Sequence, residues 1–282
     1  MAFAFINSAT VESASTNSAV CNKPTNTAQD DIMFALVSQG SAGGYSNAVP
    51  SGWTSLGQNN SGNFNQLFYK VAGGSEGASY TWGFAGSQQT KVTIVTYRDG
   101  FVVANPIDVV SNTPYTTDNT AFQAASMTVT QANSPLIFFA TGRKTTAITY
   151  TKPSVPTTGW VEDYDGGSED PDIWVEICSM VWSGSGATGV MEATGSASPD
   201  VGNKHAFAVA LNQPVNVTVN PSVLTATFSV QAPVVAADAN VTVAATLTAT
   251  FSVQAPTVSF PTPDFTNLDK SATSTFTNPD KS

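Results

Sequence analysis

The densest group of side chains able to do chemistry is an acidic segment beside Trp160 and Tyr164. Its six carboxylates fall within residues 162–172 and are Glu162, Asp163, Asp165, Glu169, Asp170 and Asp172. Asp163-x-Asp165-Gly166 matches half of a calcium-binding loop, but the bidentate Glu that completes an EF-hand is missing. A solvated acidic loop is the favoured interpretation of 162–172. Calcium binding and a paired-carboxylate glycosidase are the alternatives.

Nucleophilic catalysis finds little support in the sequence. The chain has one histidine, His205, and two widely separated cysteines, Cys21 and Cys178. A hydrolase needs a histidine beside a nucleophile and an orienting acid, and a structural zinc site needs four ligands. We expect a structural histidine and two buried thiols, and the sequence leaves open whether the thiols pair. We therefore predict no catalytic, cofactor-binding or metal-binding residues, no cofactor and no enzymatic activity.

Aromatic side chains could offer a stacking surface for sugars. They are concentrated in the first half of the chain, at Phe64, Phe68, Tyr69, Tyr80, Trp82 and Phe84. Alternating aromatics on strands more often belong to a core, so burial is the favoured interpretation.

The elements that must position these side chains are predicted to be β-strands. Apolar runs in the first 212 residues are short and bounded by Gly, Pro, Asn or Ser, which is typical of strands in a sandwich. Ala121–Met127 is the best helix candidate, although it fits a strand equally well. We predict an all-β fold in which residues 1–212 form an antiparallel β-sandwich of jelly-roll or lectin-like type.

An internal duplication of this region is our working hypothesis, with chance similarity between β-meanders as the alternative. In each half an apolar run leads to a Gly-Trp pair, an aromatic strand and a closing β-rich run. The corresponding segments are 32–37 and 136–140, Trp53 and Trp160, 67–71 and 173–177, and 92–97 and 206–211.

Residues 213–260 carry an exact repeat, because Thr225–Pro233 recurs as Thr248–Pro256. Apolar and polar residues alternate in both copies, as on a half-buried strand. Two such units cannot bury their apolar face alone, since repeat arrays usually need about three. We predict a short β-repeat stalk or docking segment that packs on the sandwich or on another chain, and a homotrimer is one possible assembly.

Residues 261–282 carry a second repeat, in which Phe265–Ser271 recurs as Phe276–Ser282 with one substitution. An attachment peptide is the favoured interpretation. A disordered tail is the alternative.

Charge and composition exclude some classes of partner. The formal net charge is −10, with 10 Lys and Arg residues, so the phosphate-neutralising surface of a nucleic-acid-binding protein is not expected. No apolar stretch is long enough for membrane insertion, and the N-terminus lacks the pattern of a secretory signal. Charged residues make up only 11% of the chain, whereas soluble domains average roughly 25%. That composition is common in proteins that function outside a cell.

Several motifs resemble a domain of tailed-bacteriophage and prophage structural proteins, and of some bacterial surface proteins. They are Asp31–Ala35, Pro50–Trp53, Tyr69–Gly73, Tyr97–Gly100 and Asn105–Asp108. Asp99 departs from the pattern, which more often has Gly after the Arg. The C-terminal repeats also resemble phage stalk and appendage sequences. The resemblance implies a lectin-like β-sandwich and supplies no catalytic residues.

The sequence thus predicts a structural protein of a bacteriophage virion, made in the host cytoplasm and exposed on the particle surface. The predicted role is capsid decoration, head fibre or tail appendage, and the expected partners are other virion proteins and copies of the chain itself. The alternative function is a lectin-like adhesin that recognises host-surface polysaccharide.

Overall fold

The computed structural model describes residues 2–40, 46–59, 63–115, 119–168, 170, 172–200 and 204–214. All regular structure in these ranges is β, which confirms the all-β prediction. Ala121–Ala124 is a strand, so the helix alternative for this segment is wrong. The strands belong to one compact unit, Met1–Asn216. The predicted β-repeats and attachment peptide lie outside the described residues, apart from their first two positions.

The first half of this unit contains six strands. They are β1 (Ala4–Asn22), β2 (Ile32–Gln39), β3 (Ser46–Ala48), β4 (Thr54–Asn59), β5 (Phe64–Val71) and β6 (Ser79–Arg98). They form sheet A in the antiparallel order β1-β6-β2-β5-β4, with β3 added to β6.

The second half contains ten strands. They are β7 (Ile107–Tyr115), β8 (Ala121–Ala124), β9 (Thr128–Val129), β10 (Ser134–Arg143), β11 (Tyr150–Thr151), β12 (Val161–Gly167), β13 (Ile173–Trp182), β14 (Gly186–Ala187), β15 (Met191–Gly195) and β16 (Lys204–Leu211). Sheet B has the order β12-β13-β10-β16-β7, and β11-β15-β8 and β14-β9 form two smaller sheets.

The two halves have the same topology. Read in reverse, sheet B has the order β7-β16-β10-β13-β12. In each sheet the first strand of that half (β1 or β7) lies at one edge and pairs with the last strand (β6 or β16). The last strand pairs in turn with a central strand (β2 or β10), and β4 or β12 forms the opposite edge. The small strands correspond too, because β11 pairs with β15 as β3 pairs with the early part of β6. The hydroxyls of Ser38 and Thr141, which occupy equivalent register positions on β2 and β10, lie 3.2 Å apart. The strand pairing therefore supports the duplication.

Apolar side chains fill three layers. A central core lies between sheets A and B and includes Phe34, Tyr97, Phe139 and Phe207. A first outer core covers the other face of sheet A, and a second outer core covers the other face of sheet B. Each fully buried large side chain contributes about 1.5–3 kcal/mol by leaving water. Both faces of each sheet are therefore covered by apolar packing.

The first outer core is closed by the long strands β1 and β6. Their ladder is interrupted by bulges between Ser13 and Ser18, and bulges bend a strand and increase its twist. Beyond the bulges, Cys21 of β1 and Trp82 of β6 pack with β2 and β5 in the first outer core. This one pair of strands thus belongs to sheet A and also covers one of its faces.

Candidate functional site

Three carboxylates meet at the edge of sheet B. Glu162 and Asp165 lie on the edge strand β12, and Glu176 lies on its neighbour β13. One carboxylate oxygen from each residue lies within 4.8 Å of the other two. We call these three residues the acidic triad.

A bulge places the two β12 residues on the same face. Residues three apart on a regular strand point to opposite faces. Glu162 pairs with Cys178, but Tyr164 pairs with Ile177, so Asp163 is an extra residue in the ladder. Because of this extra residue Asp165 pairs with Glu176, and both carboxylates of β12 lie on the face that carries Glu176 and Cys178.

Glu176 is the buried member of the triad. Its side chain is 0% exposed, whereas Glu162 and Asp165 are exposed. The Cys178 thiol donates a hydrogen bond to Glu176 Oε1 across 2.7 Å. The other oxygen, Oε2, is buried and has no hydrogen-bond partner among the described residues. Desolvation by burial raises the pKa of Glu176 to about 8, and the negative charges of Asp165 and Glu162 add to the effect.

The electrostatics of the triad favour a cation. Burial raises the pKa of Asp165, and the charge of Glu162 raises it further. The positive charge of Lys152 lowers the pKa of Glu176, and that of Lys91 lowers the pKa of Asp165, so both lysines partly offset these increases. Clustered carboxylate oxygens are ligands for hard cations such as Ca²⁺ and Mg²⁺. A glycosidase acid–base pair that includes Glu176 is disfavoured, because the fully buried Glu176 cannot contact a sugar.

The first copy carries neutral residues at the equivalent positions. Ser55 pairs with Phe68 and Gln58 pairs with Gln66, with a bulge at the same point of the ladder. Ser55, Gln58 and Gln66 thus correspond to Glu162, Asp165 and Glu176. Gln66 Nε2 donates a hydrogen bond to Ser55 Oγ across 2.9 Å. The fold therefore needs no charge at these positions.

The remaining residues of the acidic segment are dispersed. Tyr97 donates a hydrogen bond to Asp163, and burial raises the pKa of Asp163 to about 6. Asp172 is buried near Arg143, with 3.8 Å between the charged atoms, and Asp170 is exposed. Glu169 lies outside the described residues. The expectation of a solvated loop is therefore wrong for 162–167, which lie in strand β12.

His205 is structural in its contacts. It is 0% exposed, its Nε2 lies 2.5 Å from Asn112 Oδ1, and burial lowers its pKa to about 3. Asn112 in turn donates to the backbone oxygen of Gln58 in the other copy. Lys91 occupies the position of β6 that corresponds to His205 on β16 and likewise donates to the backbone oxygen of Gly166 in the other copy. Both side chains therefore tie the edges of the two sheets together.

Both cysteines are buried free thiols, as the sequence analysis expected, and they are not paired. Cys21 packs in the first outer core and Cys178 in the second. Burial raises the pKa of Cys21 to about 12, and burial beside Glu176 raises that of Cys178 further. Neither thiol is thus activated as a nucleophile.

The aromatic cluster is core, which confirms the favoured interpretation. Trp82 is 0% exposed and packs against Trp53 and Phe68, with ring centroids 5.4 and 4.9 Å apart. Within the cluster only Tyr69 is half-buried rather than buried. These rings therefore do not form an exposed stacking surface.

The motifs that carry the phage resemblance map to packing and turns. Asp31 is buried and accepts two hydrogen bonds from Arg98, at 2.7 and 2.8 Å. Asp99 and Gly100 both have positive φ, at 61° and 69°, and form the turn after β6. The Gly that is more usual at position 99 would adopt this conformation without strain. In this chain Asp31, Arg98, Asp99 and Gly100 therefore serve packing and a turn.

Comparison with protein-family models, curated proteins and solved structures finds no match to this chain. No helix able to cross a membrane occurs in the part of the chain that the structure describes.

Glu176 is the site residue that sequence reasoning missed. It lies inside the apolar strand Ile173–Ile177, outside the acidic segment, and it joins the triad only through the pairing of β12 with β13. A charged residue within an otherwise apolar strand was the available signal, since Glu is almost never fully buried without a partner.

Proposed function

We propose that the chain is a non-catalytic structural protein displayed on the surface of a bacteriophage particle. In this proposal the two-copy sandwich is the displayed body and the C-terminal repeats attach it to other virion proteins. The single observation that carries the non-catalytic part is the placement of the reactive groups. The only histidine and both cysteines are buried, with pKa values shifted away from reactivity.

Display on a particle is supported by the composition and by the resemblance. Charged residues are scarce, and polar side chains in the strands are mostly Ser, Thr and Asn. The motifs that resemble phage structural proteins lie at scaffold positions, where Asp31 and Arg98 form an ion pair and Trp53 packs in a core.

The clustered aromatic rings do not support the adhesin alternative, since all of them are buried except the half-buried Tyr69. A polysaccharide site would have to lie on another part of the surface. The structural role is therefore the one we propose.

The test is cosedimentation with particles. Antibodies against residues 1–214 would follow the full-length chain and a chain ending at 214 through density-gradient purification of particles released by lysis. We expect the full-length chain to travel with the particles and to be labelled on their surface, while the shortened chain stays behind. Recovery of the full-length chain only in the soluble fraction would contradict the proposal. Light scattering on the full-length chain tests the predicted homo-oligomer.

A further inference from the structure

We propose that the acidic triad of Glu162, Asp165 and Glu176 is a calcium site. One oxygen from each of the three lies within 4.8 Å of the others. Ca–O bonds measure about 2.3–2.6 Å, so ligands on opposite sides of a Ca²⁺ ion lie roughly 4.8 Å apart. The three oxygens therefore already stand at distances that one ion can span.

The buried carboxylate oxygen of Glu176 is a separate indication of a ligand. Oε1 accepts a hydrogen bond from Cys178, but Oε2 is buried with no partner in the described residues. A buried polar atom without a partner is destabilising, and a bound cation would supply the missing partner of Oε2. This requirement concerns a single atom and does not follow from the clustering of acidic residues.

The two copies provide an internal comparison. Gln66, which corresponds to Glu176, forms a hydrogen bond with Ser55, which corresponds to Glu162. The first copy thus has neutral side chains at these three positions, two of which form a hydrogen bond with each other. The second copy has three carboxylates at the same register positions. The carboxylates are not required by the strand pairing, and cation binding gives them a function.

Calcium is the cation we assign because of the ligands and their exposure. All three side chains offer carboxylate oxygens, which are hard ligands, and two of them reach solvent, so water can complete a shell of six to eight oxygens. Mg²⁺ requires shorter bonds and a near-ideal octahedron. Only three protein ligands are offered and two of them are exposed, so we expect weak binding, with a dissociation constant of about 0.1–1 mM.

The bound ion would secure the edge of sheet B. Among the described strands β12 pairs with β13 alone and lies at the edge of sheet B, and it supplies two of the three ligands. An ion held between the two strands adds a cross-strand link where the ladder is interrupted by the bulge at Asp163. Calcium binding should therefore raise the thermal stability of the sandwich. This inference is independent of the proposed virion role, since it concerns the folded chain alone.

The experiment is isothermal titration of the full-length, EDTA-treated chain with CaCl₂, accompanied by thermal unfolding with and without Ca²⁺. We expect one site per chain. At a tenfold excess over the dissociation constant, the midpoint of unfolding should rise by about 3–6 °C for a unit of this size. The decisive variant is Glu162→Ser/Asp165→Gln/Glu176→Gln, which installs the neutral set of the first copy and should bind at least tenfold more weakly.

Two controls make the result unambiguous. Asp170→Asn removes an exposed carboxylate close in sequence but outside the triad, and it should bind Ca²⁺ like the wild type. If the triple variant does not fold, as judged by circular dichroism in EDTA, the single variants Glu162→Gln and Asp165→Asn at exposed positions take its place. The absence of Ca²⁺ binding by the wild type up to 10-fold above about 1 mM, or unchanged binding by the variants, overturns the proposal. Tighter binding of Zn²⁺ than of Ca²⁺, lost in Cys178→Ser, overturns the assignment of calcium.

Discussion

Replacing Glu176 by Gln should stabilise the protein at high pH in the absence of calcium. Glu176 is fully buried on β13, and its pKa is raised from 4.5 to about 8. It faces Glu162 and Asp165 across the strand pair, Cys178 on its own strand, and Lys152 beyond β11. Glutamine has nearly the same shape and carries no charge, and Gln66 already occupies the equivalent position of the first copy.

The size of the effect follows from proton linkage. Below pH 4.5 both the folded and the unfolded chain hold the Glu176 proton. In that range Glu176 therefore contributes no pH dependence to the free energy of unfolding. Between 4.5 and about 8 the unfolded chain has released the proton while the folded chain keeps it, so stability falls as pH rises, and it levels off above 8. One pKa unit corresponds to about 1.4 kcal/mol, so the wild type loses up to about 5 kcal/mol across this range.

The assay is urea unfolding followed by tryptophan fluorescence, in EDTA, at pH 5 and pH 9. Other titrating groups are common to both proteins, so the difference between Glu176→Gln and wild type reports this carboxylate together with the groups coupled to it. At each pH we compare the free energy of unfolding of the variant with that of the wild type. We expect the advantage of the variant to be larger at pH 9 than at pH 5 by several kcal/mol. Saturating Ca²⁺ should narrow the gap at pH 9. An equal difference at the two pH values would refute the argument.

Four further outcomes are expected. Trp82→Ala should lower the free energy of unfolding by about 3–5 kcal/mol, because it empties the centre of the first outer core; a loss below 1 kcal/mol in urea unfolding would speak against this packing. Cys21 and Cys178 should not react with a thiol reagent at pH 8 in the native protein and should both react in urea, since burial raises their pKa values; native labelling would show that the thiols are accessible. The ring protons of His205 should keep constant NMR shifts between pH 5 and 8, because burial lowers its pKa to about 3; a titration near 6.5 would falsify its burial. A fragment of residues 1–216 should fold alone and unfold cooperatively by circular dichroism, because all described strands belong to this unit; a non-cooperative melt would argue that the unit is incomplete.

Much of the fold could be predicted from local sequence patterns. The apolar runs 32–37 and 136–140 are bounded by turn residues, and they are the central strands β2 and β10. Both Gly-Trp pairs precede an edge strand, and both closing runs are the last strands of their copies. Period-two patterning and turn residues are local properties, so sequence can reveal them.

The layers and the site could not be predicted in this way. β1 and β6 are 19 and 20 residues long, and their bulges and polar residues conceal that this pair of strands contributes to two layers. The acidic triad depends on a bulge and on the register between β12 and β13, and both are set by tertiary pairing. A one-residue change of register would move Asp165 to the opposite face, and nothing in the segment Val161–Gly167 reveals the register.

In each copy the first strand pairs with the last strand. This pairing has a consequence for folding during synthesis, because a sheet cannot be completed before its last strand has been made. β1 pairs with β6, so residues 4 and 98 must meet before sheet A is complete. Contacts so distant in sequence slow folding, because a long loop must close before they form. The ribosome nevertheless delivers β1–β6 well before β16, and N-terminal units generally fold first. The first copy should then wait with its half of the central core uncovered until Leu211 emerges, which makes this face the most aggregation-prone surface of the nascent protein.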